Sequence, residues 1–321
     1  FPTRRSSDLA LLITLNIELP FYIEKTGGLI NLTDRVELDD DFSIEGSLNM
    51  TYVSSLKGTI ATYITSLFNK NWDIISKEAE NGTATESERE FGDKLALQDS
   101  IDTAKIVAYQ KANSDINIIS QKVYVGYVYE EAQTNLKIGD IFVKINDNVI
   151  NSKNDINIEL DKYNVGDSID IEVINNNKTY QRTAKLIDIK GKKMIGILCY
   201  SDYDLELDPE INLNFKKQET GPSGGLMLAL TIYSKLMQED ITKGKKIAGT
   251  GVIDENGIVG SIGGVKYKLA GAVKEKVDIF IVPNGDNYKE AMKEKRKNNY
   301  KIDIYGVDTF EDALDILKKL D

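Results

Sequence analysis

From Met194 to Leu320, short apolar runs bounded by turn residues alternate with stretches whose apolar positions recur at helix spacing, a pattern that builds an α/β layer. The strand runs are "MIGILCY", "KIAGTGVID", "DIFIVP" and "KIDIYGV", and the helical stretches cover 224–238, 265–276, 286–297 and 309–320. Residues 191–321 are therefore expected to form an α/β domain with its own core. The preceding segment, 118–190, differs. Strand alternation at "VYVGYVY", "IFVKIND", "SIDIEVI" and "TYQRTAKLI" surrounds one helical stretch near 153–163, with turns at "NVGD" and "NNNK", and predicts a small β-rich domain. Residues 24–117 predict an N-terminal α/β segment: β-branched runs first, a helical pattern over 59–76, a polar insert over 76–90, then a helix over 95–112. The fold class expected for the whole chain is α+β.

Composition limits the chemistry more than the fold. The 321 residues include no histidine, so a Ser-His-Asp or Cys-His site cannot be built within this chain. One cysteine, Cys199, excludes an internal disulfide, and a zinc site has too few ligands. No metal and no cofactor are expected. A net charge of −11 argues against a nucleic-acid partner, and no GxxxxGK[ST] loop is present to hold a nucleotide. Residues 1–23 stand apart. "FPTRRSSDL" resembles translated adaptor sequence, and "LALLITLNIELPFYI" is apolar but broken by Asn16, Glu18 and Pro20, which reads as a truncated membrane anchor or a buried strand.

Acid-base chemistry is left to Lys, Asp, Glu and Tyr. In "TGPSGGLML" (220–228), Ser223 lies among small residues, Gly221 and Gly224 included, ahead of an apolar helical run. Two readings compete: a helix N-cap, and a nucleophile whose oxyanion would be held by free N–H groups at the helix start. A second stretch, "IAGTGVIDENGIVGSIGGVKYKLAGAVKEK" (247–276), runs from a strand through a hairpin into a helix with Lys266 and Lys268 near its start. Burial and the positive helix end both disfavour a charged lysine there, and a neutral lysine can act as a general base. Periodicity alone leaves Lys266 and Lys268 as rivals; Tyr267 between them reads as a packing residue.

Both stretches, in this order, resemble the proteolytic domain of the Lon family, and the resemblance covers roughly the last 130 residues. It implies a Ser-Lys dyad of Ser223 and Lys268, with Thr250 supporting the lysine. Gly224 replaces the commoner alanine, and Thr220 stands where ATP-dependent members often carry aspartate. "LKIGDIFVKINDNVI" resembles the heart of a PDZ domain, which implies a peptide groove between the "VYVGYVY" strand and the helix near 153–163. Together these features are similar to the PDZ-containing, membrane-anchored Lon-like proteases of Gram-positive bacteria. That resemblance implies ATP-independent serine endopeptidase activity on extracytoplasmic proteins or peptides, a single-pass anchor in the cytoplasmic membrane, and, by analogy with Lon rings, a homo-oligomer. The alternatives are a catalytically inactive peptide-binding scaffold and an anion-binding regulatory domain at the Ser223 helix start.

Overall fold

The computed structural model describes residues 4–38, 42–69, 71–82, 84–189, 191–216 and 219–320. Its largest sheet draws on both ends of the sequence. The order is Asp303–Val307, Ile279–Pro283, Lys246–Gly249, Ser47–Thr59, Glu18–Asn31 and Asp73–Ser76. The first four strands run parallel, and the last two pair antiparallel. "IFIVP" at 279–283 is buried at every position, as a parallel strand covered on both faces requires.

Helices cover each face of this sheet. On one side the helix Gly225–Leu236, buried from Gly225 to Ser234, packs with the long helix Glu86–Ala112 and the C-terminal helix Phe310–Lys318 around Leu48, Val107, Leu226, Leu230, Ile247 and Phe310. On the other, Val265–Lys274 and Asp286–Asn298 enclose Ala248, Val265, Leu269, Phe280 and Ile304. The chain is α+β.

The segments expected separately at 24–117 and 191–321 thus share one sheet. Asn49 Nδ2 donates to the Ile247 carbonyl at 2.9 Å across 198 residues of sequence, a pairing that local periodicity does not encode. Between these halves sits a middle unit with its own core of Val125, Phe142, Ile145, Ile156, Ile171, Val173 and Leu186. Its sheet runs Ile197–Asp208, Asp115–Val128, Ile141–Ile145, Ser168–Asn175 and Lys178–Lys185, so it extends past the 118–190 expected from sequence.

Two local expectations are corrected. The helical pattern over 59–76 splits into a helix, Ile60–Leu67, capped by Thr59, and a strand, Asp73–Ser76, drawn into the sheet by pairing with Phe21–Glu24. The "VYVGYVY" strand has no free edge, because Asp115–Val128 pairs with Ile197–Asp208 along its length and meets Ile141 on its other side. The edge strand beside the helix Lys153–Leu160 is Ile197–Asp208. The first helix, Arg4–Leu15, leaves Leu9, Leu11, Leu12 and Ile13 exposed, and no helix among the described residues is long and apolar enough to cross a membrane.

The middle unit is pinned by Asp140, which is fully buried. Its carboxylate accepts from Arg182 Nε at 2.9 Å, Arg182 Nη2 at 3.2 Å, Asn175 Nδ2 at 2.7 Å and the Lys137 N–H at 2.9 Å. Removing one partner of such a pair strands the other charge in a dry site. Asp140→Ala is expected to destabilise the middle unit by about 3–5 kcal/mol, read by urea denaturation; a loss under about 1 kcal/mol would show that water screens Arg182.

Candidate active site

The glycines and proline at 221–224 form a tight turn, with Gly221 at φ +88° and its N–H on the Asp93 carbonyl at 3.3 Å. Ser223 is not the helix cap. Gly224 occupies that position, without any side-chain capping bond. Gly224 is also where the expected alanine could not fit without movement, since the Met50 thioether occupies the space a Cβ would take.

Lys268 reaches the serine from the helix on the opposite side of the sheet. Its Nζ lies 2.8 Å from Ser223 Oγ and 3.1 Å from Thr250 Oγ1. Thr250 is completely buried just beyond the end of Lys246–Gly249, where its N–H donates to the Ile281 carbonyl at 3.0 Å. Its hydroxyl donates to the Ser223 carbonyl at 3.0 Å, and the Gly251 N–H donates to the same oxygen at 2.8 Å. One threonine thus braces both the lysine and the serine backbone.

Lys266 is excluded as the partner. Two residues advance a helix by about 200°, so Lys266 and Lys268 leave from nearly opposite sides. Lys266 Nζ instead meets Asp73, as does the Tyr267 hydroxyl, while the Tyr267 ring is buried as its packing role requires. Asp73 comes from the N-terminal segment, so the sequence around 266–268 carries no sign of it.

Burial sets the electrostatics. Lys268 is 4 % exposed and has no carboxylate among its hydrogen-bond partners; desolvation pulls its pKa down to about 8. A substantial fraction is therefore neutral near physiological pH, with a lone pair available to the serine O–H. Cys199 is no rival nucleophile, because burial pushes its thiol up to about 12. Among the described residues no cluster of Asp, Glu or Cys could hold a metal ion.

A cavity of about 360 Å³ opens at Ser223, walled by Leu29, Ile30, Met50, Val53 and Leu97 and rimmed by Arg35 and Glu219. Arg35 Nη2 holds Glu219 at 3.0 Å. Sequence reading missed these walls entirely, because they come from the N-terminal strands and the long helix. A wider, open depression near Lys245, Arg296 and Tyr300, about 980 Å³, includes none of the site residues.

Comparison with known proteins bears on the same region. Residues 216–319 match the Lon protease (S16) C-terminal proteolytic domain. The chain is 31% identical over 119 residues to Lon protease 2 of Borreliella burgdorferi, covering 36% of this chain and 15% of that protein. It is 35% identical over 99 residues to the Lon protease of Campylobacter jejuni, covering 30% of this chain and 12% of that protein. The chain thus spans only a small part of the length of these curated relatives. Among solved structures, the PDZ domain of an SdrC-like protein from Listeria monocytogenes is 29% identical, with a TM-score of 0.22, covering 24% of this chain and 85% of that one. The second domain of another listeria protein is 30% identical at a TM-score of 0.22, covering 24% and 82%. Residues 216–319, which contain Ser223, Thr250 and Lys268, are thus similar to the Lon protease (S16) C-terminal proteolytic domain.

Proposed function

We propose that the chain is an ATP-independent serine endopeptidase that hydrolyses peptide bonds through a Ser223–Lys268 dyad. The observation that carries this reading is the 2.8 Å approach of Lys268 Nζ to Ser223 Oγ at a buried lysine whose pKa lies near about 8. Neutral Lys268 takes the hydroxyl proton as Oγ attacks the scissile carbonyl. It then passes that proton to the leaving amine, and water, deprotonated by the same lysine, releases the acyl group. The N–H groups of Ser223 and Gly224, which have no hydrogen-bond partner among the described residues, are the donors for the oxyanion. Thr250 keeps the amine aimed.

The middle unit, read as PDZ-like, takes an extended peptide beside Ile197–Tyr200 and the helix Lys153–Leu160, and delivers it or restricts its entry. Leu11, Leu12 and Ile13, exposed on the first helix, support attachment to a membrane, and the resemblance to anchored Lon-like proteases favours the cytoplasmic membrane with the catalytic region outside it.

Ser223→Ala and Lys268→Ala should each abolish cleavage of casein and of short fluorogenic peptides without added nucleotide. Full activity in either variant rules the dyad out, and peptide binding without turnover in the wild type would favour a binding scaffold. Because the base is the neutral amine, kcat/KM should rise with pH through a midpoint near about 8. Thr250→Val should lower kcat by about tenfold or more while the fold is kept; an unchanged kcat would remove Thr250 from the machinery.

Stability should rise with pH as activity does, but through a higher window. The unfolded chain keeps the lysine protonated up to its ordinary value of 10.5, the folded chain only up to about 8. Between those values the unfolded state binds the extra proton, so stability falls as pH drops from about 10.5 to about 8 and stays lower below that. Lys268→Met, inactive, should therefore gain about 3 kcal/mol at pH 7 and progressively less toward pH 10. Urea denaturation at the two pH values checks this, and a destabilised variant at pH 7 would show that the amine's hydrogen bonds outweigh its desolvation.

A further inference from the structure

Ser100 lies on the long helix Glu86–Ala112, 5 % exposed, and its hydroxyl donates to the Pro222 carbonyl at 3.0 Å. The same carbonyl accepts the Gly225 N–H at 3.3 Å. Contact is close on this side of the turn: a Cβ on Gly225 would stand 2.8 Å from the Ser100 hydroxyl. Ser100 lies outside residues 216–319, so the family match assigns it no role.

The peptide joining Pro222 to Ser223 is planar and trans, so its carbonyl and the Ser223 N–H point in opposite directions. Holding the carbonyl toward the long helix turns the Ser223 N–H away from that helix. The next peptide is held in the same manner, since Thr250 and Gly251 fix the Ser223 carbonyl and thereby the direction of the Gly224 N–H. Of the two peptides flanking the serine, the catalytic region fixes one and the long helix fixes the other.

We propose that Ser100 is a positioning residue for the proposed hydrolysis, aiming the Ser223 N–H at the oxygen that becomes negative as Oγ attacks. This rests on the reading of Ser223 as nucleophile. Without the hydroxyl, Pro222 keeps only the longer bond from Gly225, and its peptide can rock about the turn. Electrostatic stabilisation requires donors that need no reorganisation when charge develops, so a rocking donor costs turnover rather than substrate affinity. The long helix can serve as a fixed reference because the preceding residue, Asp99, anchors it on the other side. Asp99 Oδ1 accepts the Ser201 N–H at 2.7 Å and Lys153 Nζ at 2.8 Å.

The test compares the wild type with Ser100→Ala and with Thr103→Val, which changes a buried hydroxyl with no hydrogen-bond partner among the described residues, one turn along the same helix. Steady-state cleavage of a short fluorogenic peptide is measured across pH, together with amide hydrogen exchange over 220–228. Ser100→Ala is expected to lower kcat by about 10- to 100-fold, with KM within about twofold and the pH midpoint unmoved. Exchange at Gly225, whose N–H shares the Pro222 carbonyl with Ser100, should quicken, while Thr103→Val behaves as wild type. A kcat within about threefold of wild type overturns the proposal. So does a rise in KM at constant kcat, or an equal loss in Thr103→Val, which would mark a general effect of disturbing the helix. A wild-type chain that cleaves nothing overturns the hydrolase reading and the catalytic role together; faster exchange in Ser100→Ala would then identify the contact as a loop anchor only.

Discussion

The candidate site depends on keeping a lysine amine away from water. An ammonium ion in a dry interior loses far more hydration than two neutral hydroxyls return, so folding shifts the amine toward its neutral form. The Lys268 neighbours fit this requirement: Ser223 and Thr250 supply hydroxyls, and neither supplies charge. A carboxylate in their place would pair with the ammonium and raise its pKa, which is the situation at Lys153. There burial also works against the charge, but Asp99 and Glu255 outweigh it and hold the pKa above its ordinary value. Acids thus keep Lys153 charged, and their absence leaves Lys268 partly neutral.

Dryness at Lys268 is a property of the sheet. Its helix lies on the face formed by Ala248, Phe280 and Val282, and Thr250 follows directly from the central strand Lys246–Gly249. That strand has neighbours on both sides, Ile279–Pro283 and Ser47–Thr59. Since Ser47–Thr59 comes from the N-terminal segment, the matched region 216–319 does not by itself complete the sheet beside its own central strand. The cavity walls repeat this dependence, with Leu29, Ile30, Met50 and Val53 facing the serine turn.

What the sequence made legible follows from the range of the interactions. Ser223 and the pair Lys266 and Lys268 lie in turns and helix starts marked by nearby glycines and a proline, while Thr250 and the preference for Lys268 follow from the resemblance to the Lon family. The helices 225–236, 265–274, 286–298 and 310–318 lie within a few residues of the stretches expected from periodicity. Contacts made across the insertion were illegible. Nothing near "DIIS" (73–76) says that it will pair with Phe21–Glu24 and place Asp73 beside Lys266. Nothing near "MIGILCY" says that its strand will cover the full edge of "VYVGYVY". The rivalry between Lys266 and Lys268 was undecidable locally for the same reason: the residue that removes Lys266 arrives from 193 positions away.

The insertion of the middle unit gives the long helix two different duties on adjacent residues. Asp99 faces the middle unit, where burial raises its pKa and Lys153 only partly offsets that rise. Lys153 also meets Glu255, in the hairpin that follows Thr250 and Gly251, and Glu255 takes a further hydrogen bond from Tyr203. Despite its burial, Glu255 is held below its usual range by Lys153 and that hydroxyl. A closed circuit results: serine turn, long helix, middle-unit helix, the hairpin after Gly251, and back to the Gly251 N–H on the Ser223 carbonyl. Each link is a hydrogen bond or ion pair, and at the buried Asp99 and Ser100 losing one partner leaves the other costly to bury. The middle unit therefore cannot be displaced along its edge strand without disturbing one of the two elements that hold the peptides flanking Ser223.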